Sequence, residues 1–155
     1  MFINNNTFTG DKPMGQNLKG RVLIVEDDML LSMVEERLIK RLGFDVVGKV
    51  TEAEDAVNKT VELKPDVIIM DISLKGDLDG IDAMEMIRQK SDVPVIYLSG
   101  SSDRYYYERA KKTGFSGFLT KPVTSGDLED PLYLALKKDD ESVQEMKDRK
   151  FNRTA

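Results

Sequence analysis

The chain has 155 residues, enough for one domain that buries about 70% of its unfolded surface without disulfides or a structural metal. It contains neither Cys nor His. That excludes thiol catalysis, thiolate or imidazole metal sites, a Ser-His triad and a phosphohistidine carried on this chain. The net charge of −5 disfavours nonspecific nucleic-acid binding, which needs clustered Lys and Arg.

Residues 1–19 are polar and rich in Asn, Gly and Thr. They lack the apolar stretch of a secretory signal, and a flexible lead-in is expected. No apolar run approaches the ~20 residues of a membrane span, so a soluble, cytoplasmic protein is expected. Arg21 to Val25 reads as a short apolar strand. Met29 to Leu42 carries Leu31, Val34, Leu38 and Leu42 at helical spacing, with Gly43 as the stop. Phe44 to Val50 is β-branched and reads as a second strand. Ala53 to Leu63 has Ala53, Ala56, Val57, Thr60, Val61 and Leu63 on or near one face, and Pro65 bars continuation.

Val67-Ile68-Ile69-Met70 is a continuous apolar run that closes on Asp71, as a fully buried parallel strand would. Ser73 to Gly80 is a polar loop. Ile81 to Gln89 is a third helix, Pro94 to Leu98 a fourth strand, Ser102 to Lys112 a fourth helix ended by Gly114, and Ser116 to Leu119 a fifth strand. Leu128, Leu132 and Leu136 point inward from a last helix with Ser125 as its N-cap. Residues 138–155 are highly charged and read as an extension or tail. Strands alternating with ~10-residue helices imply βαβ units, a parallel sheet and one doubly wound α/β domain over residues 20–137. Right-handed crossovers then bring all five strand ends to one edge, where ligands bind in such folds.

Three features meet at that edge. Glu26, Asp27 and Asp71 would converge, and carboxylates at that spacing repel unless a cation sits among them. Oxygen-only ligands select a hard ion such as Mg²⁺. The bland reading of Glu26-Asp27-Asp28 is a set of acids at a helix N-terminus, and that of Asp71 is a loop cap. The sharper reading makes Asp71 a carboxylate nucleophile for a phosphoryl group. Ser99 would then donate a hydrogen bond to one phosphoryl oxygen and Lys121 would pair with another. Lys121-Pro122 also invites a cis peptide.

Five segments in order carry a resemblance to the receiver domain of two-component response regulators. They are Val22 to Asp28, Val67 to Ile72, Asp79-Gly80, Pro94 to Ser99 and Gly117 to Pro122. The resemblance implies a flavodoxin-like (βα)5 fold with strand order 2-1-3-4-5. It makes Asp71 the phosphoacceptor, and Glu26 and Asp27 the acidic pair, with Asp27 the direct ligand of Mg²⁺ or Mn²⁺. The Ser73 backbone carbonyl completes the metal set. Ser99 and Phe118 take the two switch positions, and Lys121 the active-site lysine. The implied partners are a sensor histidine kinase or a His-containing phosphotransfer protein as donor and a downstream protein as target.

Three departures stand out. The loop Leu74 to Gly80 lacks a proline after the phosphoacceptor and is longer than usual. Gly100 replaces the usual Ala, and Phe118 cannot hydrogen-bond as a Tyr would. No DNA-binding or catalytic effector unit fits after Leu136, so the expected role is a signalling switch rather than an enzyme. A phosphohydrolase with an aspartyl-phosphate intermediate is the alternative, but its usual second Asp is Ser73 here. A pseudo-receiver that binds partners without phosphorylation is the other, and the complete residue set argues against it.

Overall fold

The computed structural model describes residues 18–137, so the expectations for residues 1–17 and for the tail at 138–155 lie outside it. The elements are β1 (Arg21–Val25), α1 (Met29–Arg41), β2 (Asp45–Val50), α2 (Ala53–Leu63), β3 (Val67–Asp71), α3 (Gly80–Arg88), β4 (Val95–Ser99), α4 (Arg104–Thr113), β5 (Gly117–Thr120) and α5 (Ser125–Leu136). The strands form one parallel sheet in the order β2-β1-β3-β4-β5. This is the flavodoxin-like arrangement expected from the sequence.

Side chains alternate across the strands, and the sheet therefore has two apolar layers. Leu23, Val25, Ile68, Met70, Val95 and Tyr97 pack with α2 and α3 on one face. Val22, Ile24, Val67, Ile69, Ile96 and Leu98 pack with Ile39 of α1 and Leu128 and Leu132 of α5 on the other. β3 and β4 are buried along their whole length, which explains their unbroken apolar runs. Among the described residues, no helix is long and apolar enough to cross a membrane.

Helix ends follow local chemistry. Asp28 caps α1 by accepting from the Leu30 and Leu31 N–H groups. Gly43 follows it with φ of 94°, a left-handed turn that suits Gly. Asp79 and Asp82 form a reciprocal capping box on α3, so that helix starts one residue before the expected Ile81. The cap of α5 is Thr124, not Ser125: its hydroxyl accepts from the Asp127 N–H while the Asp127 carboxylate accepts from the Thr124 N–H. α4 starts at Arg104, because Asp103 rather than a residue near Ser102 supplies the cap.

The expected apolar stripe of α1 holds only in part: Leu38 and Leu42 pack against the core. Val34 is 47% exposed, and the inner line is Ser32, Glu35 and Ile39. Val61 of α2 also faces solvent. Two inward positions of α1 are polar, so apolar spacing alone did not select the whole inner line.

Gly80 sits where α3 meets the end of β3. A Cβ there would run into the Asp71 carbonyl oxygen and lie 2.9 Å from Met70 Cγ. A Cβ on Gly100 would meet nothing within 4 Å. Gly80→Ala should therefore cost about 2 kcal/mol or more in chemical denaturation, and Gly100→Ala less than about 0.5 kcal/mol. Equal costs would contradict the close approach at Gly80.

Candidate functional site

β1, β3, β4 and β5 end on the same edge and deliver Glu26, Asp71, Ser99 and Lys121 to it. Glu26 follows β1 and still donates its N–H to the Val50 carbonyl of β2 at 3.0 Å, which fixes its backbone. Lys121 follows β5, with its N–H on the Ser99 carbonyl at 2.8 Å. The Lys121-Pro122 peptide is cis, as the sequence suggested.

The Lys121 ammonium lies 3.0 Å from both Glu26 oxygens and 2.9 Å from Asp71 Oδ1. Both carboxylates are almost fully buried. Burial pushes the Glu26 carboxyl up to about 8, and its hydrogen bond with Asp71 adds to this against the pull of Lys121. Burial pulls the Lys121 ammonium down, but its bonds to Asp71 and Glu26 outweigh this and hold it above its ordinary value.

Glu26, Asp27 and Asp71 can each present an oxygen within 4.8 Å of the others. The donors are all oxygen, which fits a hard divalent cation. Two loop amides steady the group: Ser73 N–H donates to Asp71 Oδ1 at 3.0 Å, and Lys75 N–H donates to Asp27 Oδ2 at 2.9 Å. The long loop after β3 thus reaches back to the acidic pair, a role for Lys75 that its residue type did not signal. Asp28 is taken up by its helix cap and stands outside the group.

Ser99 is buried at the end of β4, but its hydroxyl faces its own loop. It donates to the Ser101 carbonyl at 2.6 Å and accepts from the Ser101 N–H at 3.2 Å. Ser101 Oγ in turn accepts from the Asp103 N–H at 3.1 Å, and Asp103 caps α4 through the Tyr105 N–H at 2.9 Å. A continuous line of hydrogen bonds therefore runs from Ser99 to the N-terminus of α4.

Phe118 is half-buried among aromatic rings: Tyr107 at 5.2 Å, Phe115 at 5.8 Å and Tyr97 at 6.2 Å between centroids. On α4, Tyr105 is 61% exposed and Tyr107 40%. Arg109 binds Asp79 at 2.7 Å and Asp82 at 3.0 Å, fastening α4 to the first turn of α3. Sequence reasoning also missed Glu35, a buried acid on the inner line of α1. The one sequence signal was a Glu four residues before Ile39, on a line that the apolar pattern did not select.

Residues 22–133 match the family model described as response regulator receiver domain. The chain is 35% identical over 116 residues to the transcriptional regulatory protein PdtaR of Mycobacterium tuberculosis, a match covering 75% of this chain and 56% of that protein. The chain thus spans little more than half the length of that relative. It is 35% identical over 103 residues to the chemotaxis protein CheY of Thermotoga maritima, covering 66% of this chain and 85% of that protein. Among solved structures, the signal receiver domain of a modulated diguanylate cyclase from Desulfovibrio desulfuricans G20 superposes with a TM-score of 0.73 at 34% identity. That match covers 79% of this chain and 96% of the other.

The raised Glu26 carboxyl sets a pH dependence. Between the unfolded value near 4.5 and the folded value near 8, the metal-free fold binds more protons than the unfolded chain. Its contribution to stability is therefore fully present below about pH 4.5 and lost as pH rises to about 8. Glu35, raised to about 7 chiefly by burial, acts in the same direction. Glu36 and Asp79, whose values are lowered, act below this window. Without divalent metal, the melting temperature should fall from about pH 5 to about pH 8.5, and the stabilisation by Mg²⁺ should grow over the same range. A metal-free melting temperature that rises over that range would contradict the assignment.

Proposed function

Because the chain belongs to the response regulator receiver family, we propose that it is a phosphorylation-controlled switch in the cytoplasm, with residues 20–137 as its receiver unit. Asp71 accepts a phosphoryl group from a sensor histidine kinase or a His-containing phosphotransfer protein. The observation that carries this reading is the Lys121 ammonium held between Glu26 and Asp71 beside a three-carboxylate group.

In the transfer, an Asp71 carboxylate oxygen forms a bond to phosphorus as the phosphorus–nitrogen bond of the donor breaks. The leaving imidazole keeps that electron pair. Lys121 shifts from Glu26 to a phosphoryl oxygen, and the Ser99 hydroxyl turns from the Ser101 carbonyl to another. Glu26, Asp27, Asp71 and the Ser73 carbonyl would hold Mg²⁺, or Mn²⁺, which neutralises charge on the remaining oxygens when bound. The chain's own groups then bind and orient the phosphoryl group, with Ser73 N–H already on Asp71.

The donor has to arrive at the mouth of the crevice. The rim beside Asp27 is the first turns of α1, where Met29, Leu30, Met33 and Val34 are all exposed. Four adjacent apolar side chains offer a contact for a protein donor. The output leaves by another route. Moving Ser99 breaks its link to Ser101 and loosens the N-terminus of α4, and Phe118 repacks with it. Tyr105 and Tyr107 lie on the surface that changes, and exposed aromatics suit a protein partner. Reversing a 1:99 equilibrium takes about 5.5 kcal/mol. Two or three charge-assisted bonds at roughly 1.5–3 kcal/mol each supply it.

With Mg²⁺ and acetyl phosphate or phosphoramidate, the intact mass should rise by one phosphoryl group in the wild type and not at all in Asp71→Asn. Asp27→Asn should slow labelling strongly by removing a charged oxygen donor, and Asp28→Asn much less. Undiminished labelling of Asp71→Asn would remove the proposed acceptor. For the output, beryllofluoride with Mg²⁺ should shift NMR resonances across residues 101–119. Shifts confined to the strand-end loops would mean this face is not the one that signals.

A further inference from the structure

Glu35 is explained neither by phosphoryl acceptance nor by packing. It is 3% exposed, and its Oε2 is buried without a hydrogen-bond partner among the described residues. An unpartnered buried carboxylate is costly, so a helix that needed only packing would carry Leu or Ile there. Strand alternation gives its surroundings. Glu26 shares the face of Val22 and Ile24, and Asp71 shares the face of Val67 and Ile69. That layer is the one α1 covers, and Glu35 enters it from the inner line of α1.

The charged groups acting on Glu35 come from three directions. Their fields act on it from Lys121 beyond β5, Asp71 at the end of β3 and Asp28 before α1. Glu35 in turn acts on Glu26 beyond β1. Lys121 is the one cation in this set, and it is already shared by Glu26 and Asp71.

We infer that Glu35 is a positioning residue for Lys121, a buried negative charge that draws the ammonium inward and adds to the field of the acidic group. The inference rests on the reading of Asp71 as phosphoacceptor and deepens it. Its two consequences have opposite signs. A further negative charge behind the acidic group favours a divalent cation. The same charge competes for Lys121 and repels the incoming phosphoryl dianion. Glu35 thereby biases the site toward the metal-loaded, unphosphorylated state. A neutral residue of the same shape should weaken the first interaction and strengthen the second, whereas a packing defect would weaken both.

Calorimetry near pH 8.5, where Glu35 is ionised, separates these cases. In Glu35→Gln, the dissociation constant for Mg²⁺ should rise about 3- to 10-fold, and beryllofluoride at saturating Mg²⁺ should bind about 3- to 10-fold tighter. Glu35→Asp keeps the charge and should stay within about twofold of wild type on both. If Glu35→Gln loses both affinities together, changes neither, or is matched by Glu35→Asp, the inference fails. Wild type that binds neither Mg²⁺ nor beryllofluoride would instead overturn the phosphoacceptor reading itself.

Discussion

One ammonium group holds the functional edge of this protein together. Glu26 and Asp71 are buried side by side, and without a cation between them their charges would oppose each other in a poorly solvated crevice. Lys121 supplies that cation from 95 residues beyond Glu26 along the chain. It has to reach across the sheet, because β4 lies between β5 and β3. The strand order, the register that sets Asp71 opposite Leu98 and Ser99 opposite Thr120, and the turn at Lys121-Pro122 all serve this one placement. On the proposed reading, Lys121 gives up its Glu26 contact for a phosphoryl oxygen.

The rest of the molecule divides into parts that hold still and parts free to respond. Gly80 lets α3 sit against the Asp71 carbonyl, and the Gly80 N–H donates to the Ile72 carbonyl at 2.9 Å, closing the loop after β3. Arg88 donates to the Thr113, Val93 and Gly114 carbonyls and pins the far end of α4. The Tyr97 hydroxyl meets Thr113 Oγ1 at 2.7 Å inside the core, and burial pushes its phenol up to about 12, so this bond persists at any physiological pH. The N-terminus of α4 is held differently, through Ser101 and Asp103 to the Ser99 hydroxyl. One end of α4 is therefore anchored and the other depends on the Ser99 hydroxyl, the group proposed to turn toward the phosphoryl oxygens, which is the kind of contiguous link that coupling requires.

Much of this was legible in the sequence, for definite reasons. Buried parallel strands have to be apolar throughout, so Val67 to Met70 and the acid that ends them stood out, and alternation with amphipathic helices gave the sheet. Asp28 was read as the start of α1, and it caps that helix. The misses have one cause. Capping and polar burial depend on partners that residue type does not reveal. Thr124 prevails over Ser125 because Asp127 lies three residues after it. The stripe of α1 was right at Leu38 and Leu42 and wrong at Val34, because Ser32 and Glu35 take inward positions that residue type did not reveal. On α1 the apolar residues on the outside and the acid on the inside are places where local pattern and burial disagree, and such conflicts gather at functional sites.

Lys121 is proposed to exchange one buried partner for another when a phosphoryl group arrives. A crystal structure of the chain with Mg²⁺ and beryllofluoride tests this directly. Lys121 Nζ should leave the Glu26 oxygens and lie within hydrogen-bond distance of a fluorine of the beryllofluoride on Asp71. A complex in which Lys121 stays on both Glu26 oxygens while beryllofluoride occupies Asp71 would contradict it.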